Sequence, residues 1–392
     1  MTAAPLRLTR LALTDFRNYA ALTWRPAAQI VVIHGPNGSG KTNLLEAISL
    51  LVPGRGLRGA RIADLARRGA SGKWAVAGRF ETPSGPADIG TGTLPEGPAE
   101  RRAFRLDGAP PRSQAELAAR VSAVWLTPQM DRLFQEGASG RRRFLDRLVY
   151  AVEPSHAREV SAYESATAQR NRLLAESRAD AAWIGGLEDA MARHSVAATA
   201  ARLALVERLN ATLAEGAIGG FPRARLGLLC AIADRLQQAP ALTVESWLRE
   251  CLIANRAADK AAGSASLGAH RADMALADAE TGVAAADAST GQQKALLIAV
   301  VLGHAALLGA VRGFAPLLLL DEPAVHLDES RRATLFDALR ATPAQAFLTG
   351  TDADTFAPLR HAAQAFSAAG GVLAQDANFK SATSDSGDPD LS

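Results

Sequence analysis

The chain has 392 residues, of which 48% are hydrophobic, so it can form two or three domains with packed cores and is expected to be globular. Its first seven residues contain no long apolar segment, so we expect no signal peptide. The apolar run 295–311 is slightly short for a bilayer and includes His304, which favours a buried helix over a membrane span. These features predict a protein without membrane association.

Cysteine usage indicates the cellular compartment of the protein, whereas its charge does not identify a binding partner. The formal net charge is only +3, but arginine runs such as Arg141-Arg142-Arg143 stand out before residue 150. Such runs form either a solvated face or a contact with a polyanion, and charge alone leaves both open. Cys230 and Cys251 lack metal-site spacing and lie among apolar residues, which predicts buried free thiols in a reducing, cytoplasmic compartment.

In chain order, short strands are predicted at 6–8, 11–13 and 21–24, followed by the apolar strand 30–33. A glycine-rich octapeptide comes next, and an amphipathic helix follows it at 43–51. The octapeptide consists of Gly35, Pro36, Asn37, Gly38, Ser39, Gly40, Lys41 and Thr42. A strand, a glycine-rich loop and a helix in this order are typical of a P-loop, which predicts binding of a nucleoside triphosphate.

The residue types of this loop suit a polyphosphate. Glycines at 35, 38 and 40 let backbone N–H groups curl around phosphate oxygens, and the helix N-terminus adds the positive end of its dipole. Lys41 can reach the outer phosphates, and the Thr42 hydroxyl can bind Mg²⁺. ATP and Mg²⁺ are therefore the predicted cofactors.

Beyond the P-loop helix, residues 62–67 are a candidate short helix, and 74–80, 87–93 and 102–106 are predicted to be strands separated by Pro/Gly turns. The last of these turns is Asp107-Gly108. This alternation predicts an antiparallel sheet beside the nucleotide site. A further strand at 121–127 ends at Pro128-Gln129.

The sequence changes character from about residue 136, where helical patterns dominate. A helix is predicted at 156–177, a strand at 223–232 and another helix at 244–260. Between them, apolar residues recur every three or four positions and predict one side of a long helix that faces a core. These residues are Trp183, Leu187, Met191, His194, Ala198, Ala201, Leu205 and Leu209. Residues 136–262 are therefore predicted to form a mostly helical insertion, without the sustained heptads of a long coiled coil.

Residues 263–375 are predicted to return to the first domain, and 376–392 to form a disordered polar tail. Four leucines at 317–320 predict a buried strand that ends in Asp321-Glu322. A helix at 329–340 and a core strand at 346–349 follow. Next to a P-loop, Asp321 is suited to hold Mg²⁺ through water, and Glu322 to orient or deprotonate an attacking water. The predicted catalytic residues are thus Lys41, Asp321 and Glu322, and the predicted reaction is ATP hydrolysis.

The stretch Ala288-Ser289-Thr290-Gly291-Gln292 resembles the signature sequence of ABC-type ATPases, with a serine and a glycine at a helix N-terminus. Read alone, it is equally consistent with an ordinary helix cap. In the ABC family, the signature of one subunit caps the γ-phosphate held by the P-loop of another. The resemblance implies that Ser289, Gly291 and Gln292 contribute to ATP binding in an ATP-dependent, two-fold homodimer.

Within that superfamily the chain resembles the RecF family of bacterial recombination mediators. The resemblance rests on a series of short motifs that occur in order over nearly the whole chain. Besides the P-loop, signature and acidic pair, these are Phe16-Arg17-Asn18-Tyr19, Arg141-Arg142-Arg143-Phe144-Leu145-Asp146, Gln169-Arg170-Asn171-Arg172-Leu173-Leu174 and Gly268-Ala269-His270-Arg271. By the same resemblance, Gln129 is the glutamine that senses Mg²⁺ and the γ-phosphate. The implied fold is an α/β ABC-type head, with a mostly parallel sheet, an antiparallel subdomain and a helical insertion.

The resemblance also implies partners. RecF proteins bind DNA near single-strand/double-strand junctions with RecO and RecR, and help RecA replace single-strand-binding protein. Phosphate contacts of this kind need basic side chains on one face. Candidates beside the antiparallel sheet are Arg55, Arg58, Arg61, Arg67, Arg68 and Lys73, and a solvated face is an equal alternative for them.

Two departures from the ABC pattern predict slow hydrolysis. Thr290 stands where most ABC proteins have glycine, and Thr349-Gly350-Thr351-Asp352 lacks the switch histidine. Two other functions stay open, namely a transporter ATPase subunit and an SMC-like structural ATPase. The long insertion, the motif at 16–19 and the missing histidine disfavour transport, and the insertion is too short for SMC arms.

Overall fold

The computed structural model describes residues 4–94, 101–176, 180–215 and 221–379. The strands are β1 (Ala4–Pro5), β2 (Arg7–Phe16), β3 (Tyr19–Trp24), β4 (Ile30–His34), β5 (Ala75–Thr82), β6 (Gly85–Thr93), β7 (Arg102–Leu106), β8 (Ala123–Leu126), β9 (Ala224–Leu229), β10 (Asp273–Asp278), β11 (Phe314–Ala315), β12 (Leu317–Leu320), β13 (Ala346–Gly350), β14 (Ala363–Ala369) and β15 (Val372–Gln375). The α-helices are α1 (Lys41–Leu50), α2 (Gln114–Ala118), α3 (Ala138–Val152), α4 (His156–Ala175), α5 (Ala181–Ala214), α6 (Ala231–Leu236), α7 (Ala241–Ala254), α8 (Arg256–Ala262), α9 (Thr290–Arg312) and α10 (Glu329–Ala341).

The chain divides into two compact units. One is built mainly from Met1–Met130 and Ala305–Ser392, and the other from Asp131–Ala217 and Pro222–His304. The second unit therefore extends beyond the predicted insertion 136–262, because it also contains 263–304, which the sequence predicts to be part of the first domain. The physical reason is packing: β10 pairs antiparallel with β9, and Ala265 and Ala269 lie in the same buried cluster as Met191 and Leu248.

A six-stranded sheet in the order β15-β14-β4-β13-β12-β8 forms the core of the first unit. Its strands are parallel except for β15, which pairs antiparallel with β14 at the edge. All four leucines of β12 are buried, as a strand inside a parallel sheet requires. The predicted mostly parallel sheet is confirmed, and the carboxyl ends of β4, β8, β12 and β13 lie at one edge.

A separate five-stranded antiparallel sheet, in the order β3-β2-β5-β6-β7, lies in the same unit. The three strands predicted after the P-loop helix correspond to β5, β6 and β7, within a few residues at each end. Asp107 and Gly108 turn the chain after β7 with φ of 51° and 85°. Positive φ at two successive residues is typical of a tight turn, as the Asp-Gly pair predicted.

Helices dominate the second unit, where α4 packs against α5 and α5 against α7. Met191, Ala198, Leu205 and Leu209 on α5 are buried, as the predicted stripe requires. The prediction that Trp183 faces the core is wrong, because 57% of this side chain is exposed at the first turn of the helix. The predicted strand 223–232 ends at Leu229, and the predicted helix 244–260 is two helices that meet at Asn255.

Three further expectations have a structural outcome. The apolar run 295–311 lies in α9, and 83% of the most apolar window of that helix is buried. Cys230 and Cys251 are free, as predicted, but only partly buried. The predicted disordered tail begins too early, because Ala377–Phe379 form a 3-10 turn with Phe379 buried. The remainder of that tail, 380–392, lies outside the described residues.

Candidate functional site

The P-loop joins the buried strand β4 to helix α1 and requires glycine at two points of close approach. Gly35 has φ of 142°, and a Cβ there would overlap the carbonyl oxygen of Ala368. Gly40 has φ of 107°, and a Cβ there would overlap the side chains of Asn18 and Tyr19. Because no other residue fits such positions, the loop backbone is held tightly against its neighbours. A Cβ on Gly38 would meet nothing within 4 Å, so the loop opens there.

The motif at 16–19, recognised from sequence only as a family resemblance, braces this loop. Asn18 Nδ2 donates to the carbonyl oxygen of Ser39 at 3.2 Å, and the Tyr19 hydroxyl donates to that of Gly40 at 3.1 Å. Arg17 forms a bidentate pair with the buried Glu46 of α1, at 2.7 and 2.8 Å. The motif therefore fixes both the loop and the helix that follows it.

Lys41 is only 5% exposed and folds over the loop. Its Nζ donates to the carbonyl oxygens of Gly35 at 2.8 Å and Pro36 at 3.0 Å. Burial lowers the pKa of Lys41, while the carboxylates of Glu322 and Asp321 act in the opposite direction. The cation thus lies in the electrostatic field of both predicted catalytic acids.

Three oxygen-bearing side chains meet at the carboxyl edge of the parallel sheet. Thr42 Oγ1 donates to Asp321 Oδ1 at 2.9 Å, and Thr349 Oγ1 donates to the same oxygen at 2.6 Å. The backbone N–H of Glu322 donates to Thr349 Oγ1 at 2.9 Å. Glu322 itself has φ of 50°, an unusual conformation for a residue with a side chain. The structure thus brings Thr42 into contact with Asp321, with Glu322 directly next in the chain, and their roles in hydrolysis stay predictions.

These residues suit the predicted cofactors. Hydroxyl and carboxylate oxygens are the ligands that Mg²⁺ prefers, and Thr42 and Asp321 present both kinds at one point. The buried Ser39 hydroxyl has no hydrogen-bond partner among the described residues. A buried polar atom of this kind is accounted for when a ligand supplies the missing partner.

Gln129 lies at the same edge of the sheet. It follows β8, where Leu126 pairs in parallel with Leu320 of β12, directly before Asp321. Its side chain is exposed, in contrast to the buried Asp321. Its role toward Mg²⁺ or a phosphate stays a prediction.

Comparisons with known proteins identify the family of the chain. Residues 7–373 match the family model described as RecF/RecN/SMC N terminal domain. The chain is 46% identical over 363 residues to "DNA replication and repair protein RecF" of Mesorhizobium japonicum, which covers 92% of this chain and 96% of that protein. It is 45% identical to the protein of the same name from Agrobacterium fabrum, covering 95% of this chain and 100% of the relative.

The chain belongs to the RecF family. A solved structure of "the recombination mediator protein RecF-ATPrS in RecFOR pathway" superimposes with a TM-score of 0.83, covering 96% of this chain and 100% of that one at 22% identity. An Smc head domain from Pyrococcus furiosus gives a TM-score of 0.51 at 15% identity, covering 95% and 96% of the two chains. These likenesses show the ABC-type ATPase fold shared by RecF and SMC heads.

The signature segment of this RecF-family chain lies in the second unit and caps its own helix. Ser289 Oγ accepts from the backbone N–H of Gln292 at 3.4 Å, and Gln292 Oε1 accepts from the N–H and Oγ of Ser289 at 3.0 Å. Reciprocal bonds of this kind form a capping box at the start of α9. Within the same unit, Lys294 Nζ lies 3.1 Å from Asp131 Oδ2. The predicted contact of Ser289 and Gly291 with a partner's ATP stays a prediction.

The candidate DNA-contacting residues fall into two groups. Arg58 pairs with Glu46 at 3.1 Å, Arg67 pairs with Asp15 at 2.7 Å, and Lys73 donates to the carbonyl oxygen of Leu94 at 3.0 Å, so all three have partners in the protein. Arg55, Arg61 and Arg68 are exposed. The last three are the better candidates for a phosphate contact, because an exposed cation is available to an external anion.

Thr349 and Glu46 are the residues of this site whose roles sequence reasoning missed. Thr349 is buried at the end of β13 and carries two hydrogen bonds of the Asp321-Glu322 turn. The available signal was the polar residue that ends the apolar run 346–348. Glu46 is a buried acid on α1 facing Arg17 and Arg58, and a charged residue inside an apolar helical run was its signal.

Proposed function

We propose that this chain is an ATP-dependent, DNA-binding recombination mediator that acts with RecO and RecR. Relatives with the name "DNA replication and repair protein RecF" match this chain over nearly their whole length. The observation that carries the proposal is the convergence of Thr42 and Thr349 on one oxygen of Asp321, beside a buried P-loop lysine. That arrangement suits a bound metal and nucleotide rather than a structural turn.

In the proposed reaction the P-loop N–H groups and Lys41 hold the phosphates of ATP. Thr42 and Asp321 would hold Mg²⁺, Asp321 through water, with Gln129 completing the edge of the site. When bound, the metal supplies positive charge against the transferring phosphoryl group. Glu322 orients and deprotonates the attacking water, and Lys41 stabilises negative charge in the transition state.

The nucleotide is proposed to control association of two copies. Ser289, Gly291 and Gln292 of one copy would cap the phosphate held by the P-loop of its partner, which closes a two-fold pair. Thr290 would narrow the approach to the γ-phosphate, and the segment 349–352 lacks the switch histidine, so hydrolysis is expected to be slow. Slow, DNA-stimulated hydrolysis suits a timing switch.

The closed pair is proposed to bind DNA at gaps or single-strand/double-strand junctions in the cytoplasm. With RecO and RecR it would help RecA replace single-strand-binding protein during recombinational repair, replication restart and the SOS response. Exposed arginines would contact phosphates, so the affinity is expected to fall with salt and depend little on sequence.

The test measures light scattering and gapped-DNA binding with ATP and Mg²⁺. We expect a dimer with wild-type protein, a monomer with Lys41→Met and a long-lived dimer with Glu322→Gln. Lys260→Met, which alters an exposed lysine of α8, is the matched control and should behave as wild type. Unchanged dimers in Lys41→Met, or equal turnover in Glu322→Gln, would contradict the proposed site. Binding to membranes rather than DNA would favour a transporter.

A further inference from the structure

Two sequence motifs that the nucleotide site does not use meet in the second unit. The segment 141–146 forms part of α3, and 268–271 forms a short turn before β10. They line a common cavity of about 160 Å³ together with Tyr163 of α4 and Arg202 of α5. Three arginines border it, Arg142, Arg143 and Arg202, so its chemistry differs from that of an apolar packing defect.

One wall of this cavity is rigid and neutral. Gly268 has φ of 141°, and a Cβ there would overlap the Tyr163 hydroxyl, which is hydrogen-bonded to His270 Nδ1. His270 Nε2 lies 3.0 Å from the carbonyl oxygen of Ala265. Because a carbonyl only accepts, Nε2 carries the proton and Nδ1 accepts from Tyr163. Burial lowers the pKa of His270, so the wall stays uncharged at neutral pH.

Arg202 is bound by other groups of the protein. Arg202 donates to both oxygens of Asp146, at 2.7 and 2.9 Å, and to the carbonyl oxygen of Ala269 at 2.7 Å. His156 Nε2 lies 2.8 Å from the same carboxylate. The Asp146 carboxylate is therefore hydrogen-bonded to Arg202 and His156, and its charge also acts on Arg142.

The other two arginines are not engaged in this way. Among the residues that the structure describes, Arg142 donates one hydrogen bond, to the carbonyl oxygen of Ala272 at 3.0 Å, although a guanidinium has five N–H donors. Burial lowers the pKa of Arg142 and repulsion from Arg202 acts in the same direction, while the carboxylates of Asp146 and Asp273 oppose them. Arg143 is exposed and has no hydrogen bond or ion pair within the described residues. Arg142 and Arg143, both on α3, therefore line the cavity with N–H donors that remain available to a ligand.

The end of a helix adds to this set. Ser139 lies in the first turn of α3, whose N-cap is Gly137 and has no side-chain cap. An uncapped N-terminus favours an anion through its free N–H groups and its dipole. The opposing charges of the lining are Glu164, exposed at the rim, and Asp146, which pairs with Arg202, so three arginines face two carboxylates. The lining thus carries a net positive charge around a cavity that is large enough for one small anion.

We propose that this cavity binds a phosphate group through Arg142, Arg143 and Ser139, as a second anion site separate from the P-loop. Paired guanidinium groups match the oxygens of a phosphate dianion, whereas a cation or a neutral ligand leaves them unpaired. The phosphate is either inorganic phosphate or the terminal phosphate of a polynucleotide, and both present the same chemistry to the site.

The first experiment titrates inorganic phosphate into the full chain by calorimetry, in a Lys41→Met background that weakens binding at the P-loop. We expect Arg143→Gln to reduce the affinity about tenfold, since it removes a charge-assisted hydrogen bond. Glu164→Gln should increase the affinity, which a merely structural cavity does not predict. Both side chains are exposed, so the melting temperature should not change. Arg172→Gln, an exposed arginine on α4, is the control and should have no effect.

The second arm distinguishes the two sources of phosphate. The same variants are tested with an oligonucleotide that carries a 5′-phosphate and with its 5′-hydroxyl counterpart. A preference for the 5′-phosphate that Arg143→Gln removes assigns the site to a polynucleotide end. Equal binding of the two oligonucleotides, with inorganic phosphate still bound, assigns it to the free anion. Phosphate binding that is absent, or unaffected by Arg143→Gln, would overturn the proposal. The calorimetric arm needs neither ATP nor DNA, so its result is independent of the proposed function.

Discussion

Thr349 Oγ1 on β13 lies 2.6 Å from Oδ1 of Asp321, which directly follows the neighbouring strand β12 and is 28 positions away in the chain. The same hydroxyl accepts the backbone N–H of Glu322 at 2.9 Å. A single side chain therefore holds the orientation of one predicted catalytic acid and the backbone of the other. Thr349 is thus a buried structural support for both acids.

Replacing Thr349 with valine should impair this support with little change in shape. The Glu322 N–H loses its acceptor and Asp321 loses a donor, so the free energy of unfolding should fall by about 1–3 kcal/mol. ATP turnover should fall further than ATP binding, because the P-loop remains intact. Urea unfolding and steady-state hydrolysis measure the two effects. Thr351→Val, at an exposed position two residues later, should change neither, and equal effects of the two substitutions would contradict this role.

Lys294 is 1% exposed and pairs with Asp131, two residues after Gln129. Because this pair links the signature helix to the segment that follows Gln129, Lys294→Met should weaken ATP-dependent dimerisation while nucleotide binding is retained. Fluorescent-ATP binding and light scattering test the two properties separately. Lys294→Arg keeps the charge and should restore most of the association. Normal dimers in Lys294→Met would show that the ion pair only stabilises the fold.

Arg170 is fully buried and pairs with two buried acids, Glu188 at 3.0 Å and Asp259 at 2.8 Å. Removing one partner of a buried pair typically costs about 3–5 kcal/mol, because the remaining charges lose their compensation. Arg170→Met should therefore strongly reduce the stability of the helical unit, as measured by urea unfolding. Arg172→Met changes an exposed arginine of the same motif and should cost less than about 0.5 kcal/mol.

The Arg141–Asp273 pair should contribute to acid sensitivity. Arg141 donates to both Asp273 oxygens at 2.8 Å and lowers the pKa of that carboxyl below its usual value. A depressed folded-state pKa gives stability that is present above the unfolded value, about 3.9, and is lost as the pH falls through the folded value. Asp273→Asn should thus be more destabilising at pH 7 than at pH 3, because part of the stabilisation is lost below the unfolded-state pKa. Urea midpoints at both pH values test this, with the exposed Asp189→Asn as control.

The sequence alone identified the P-loop, the acidic pair and the strands and helices that carry them. These features are local: glycine spacing, an apolar run and a capping sequence are each complete within about a dozen residues. The errors have the same origin. Trp183 follows the helical period but lies at a helix end, where 57% of it is exposed. The boundary at 262 follows the end of a helical pattern, which contains no information on the pairing of β9 with β10.

Only the tertiary structure decided which side chains far apart in sequence form hydrogen bonds with each other. Thr42 and Asp321 are 279 residues apart, and Arg170 and Asp259 are 89 apart. No periodicity or spacing predicts such pairs, because they follow from the order of strands in a sheet and the packing of helices. The sequence therefore determined which chemistry the chain carries. The fold determined which groups are desolvated together, and hence which charges and hydroxyls can act as a unit.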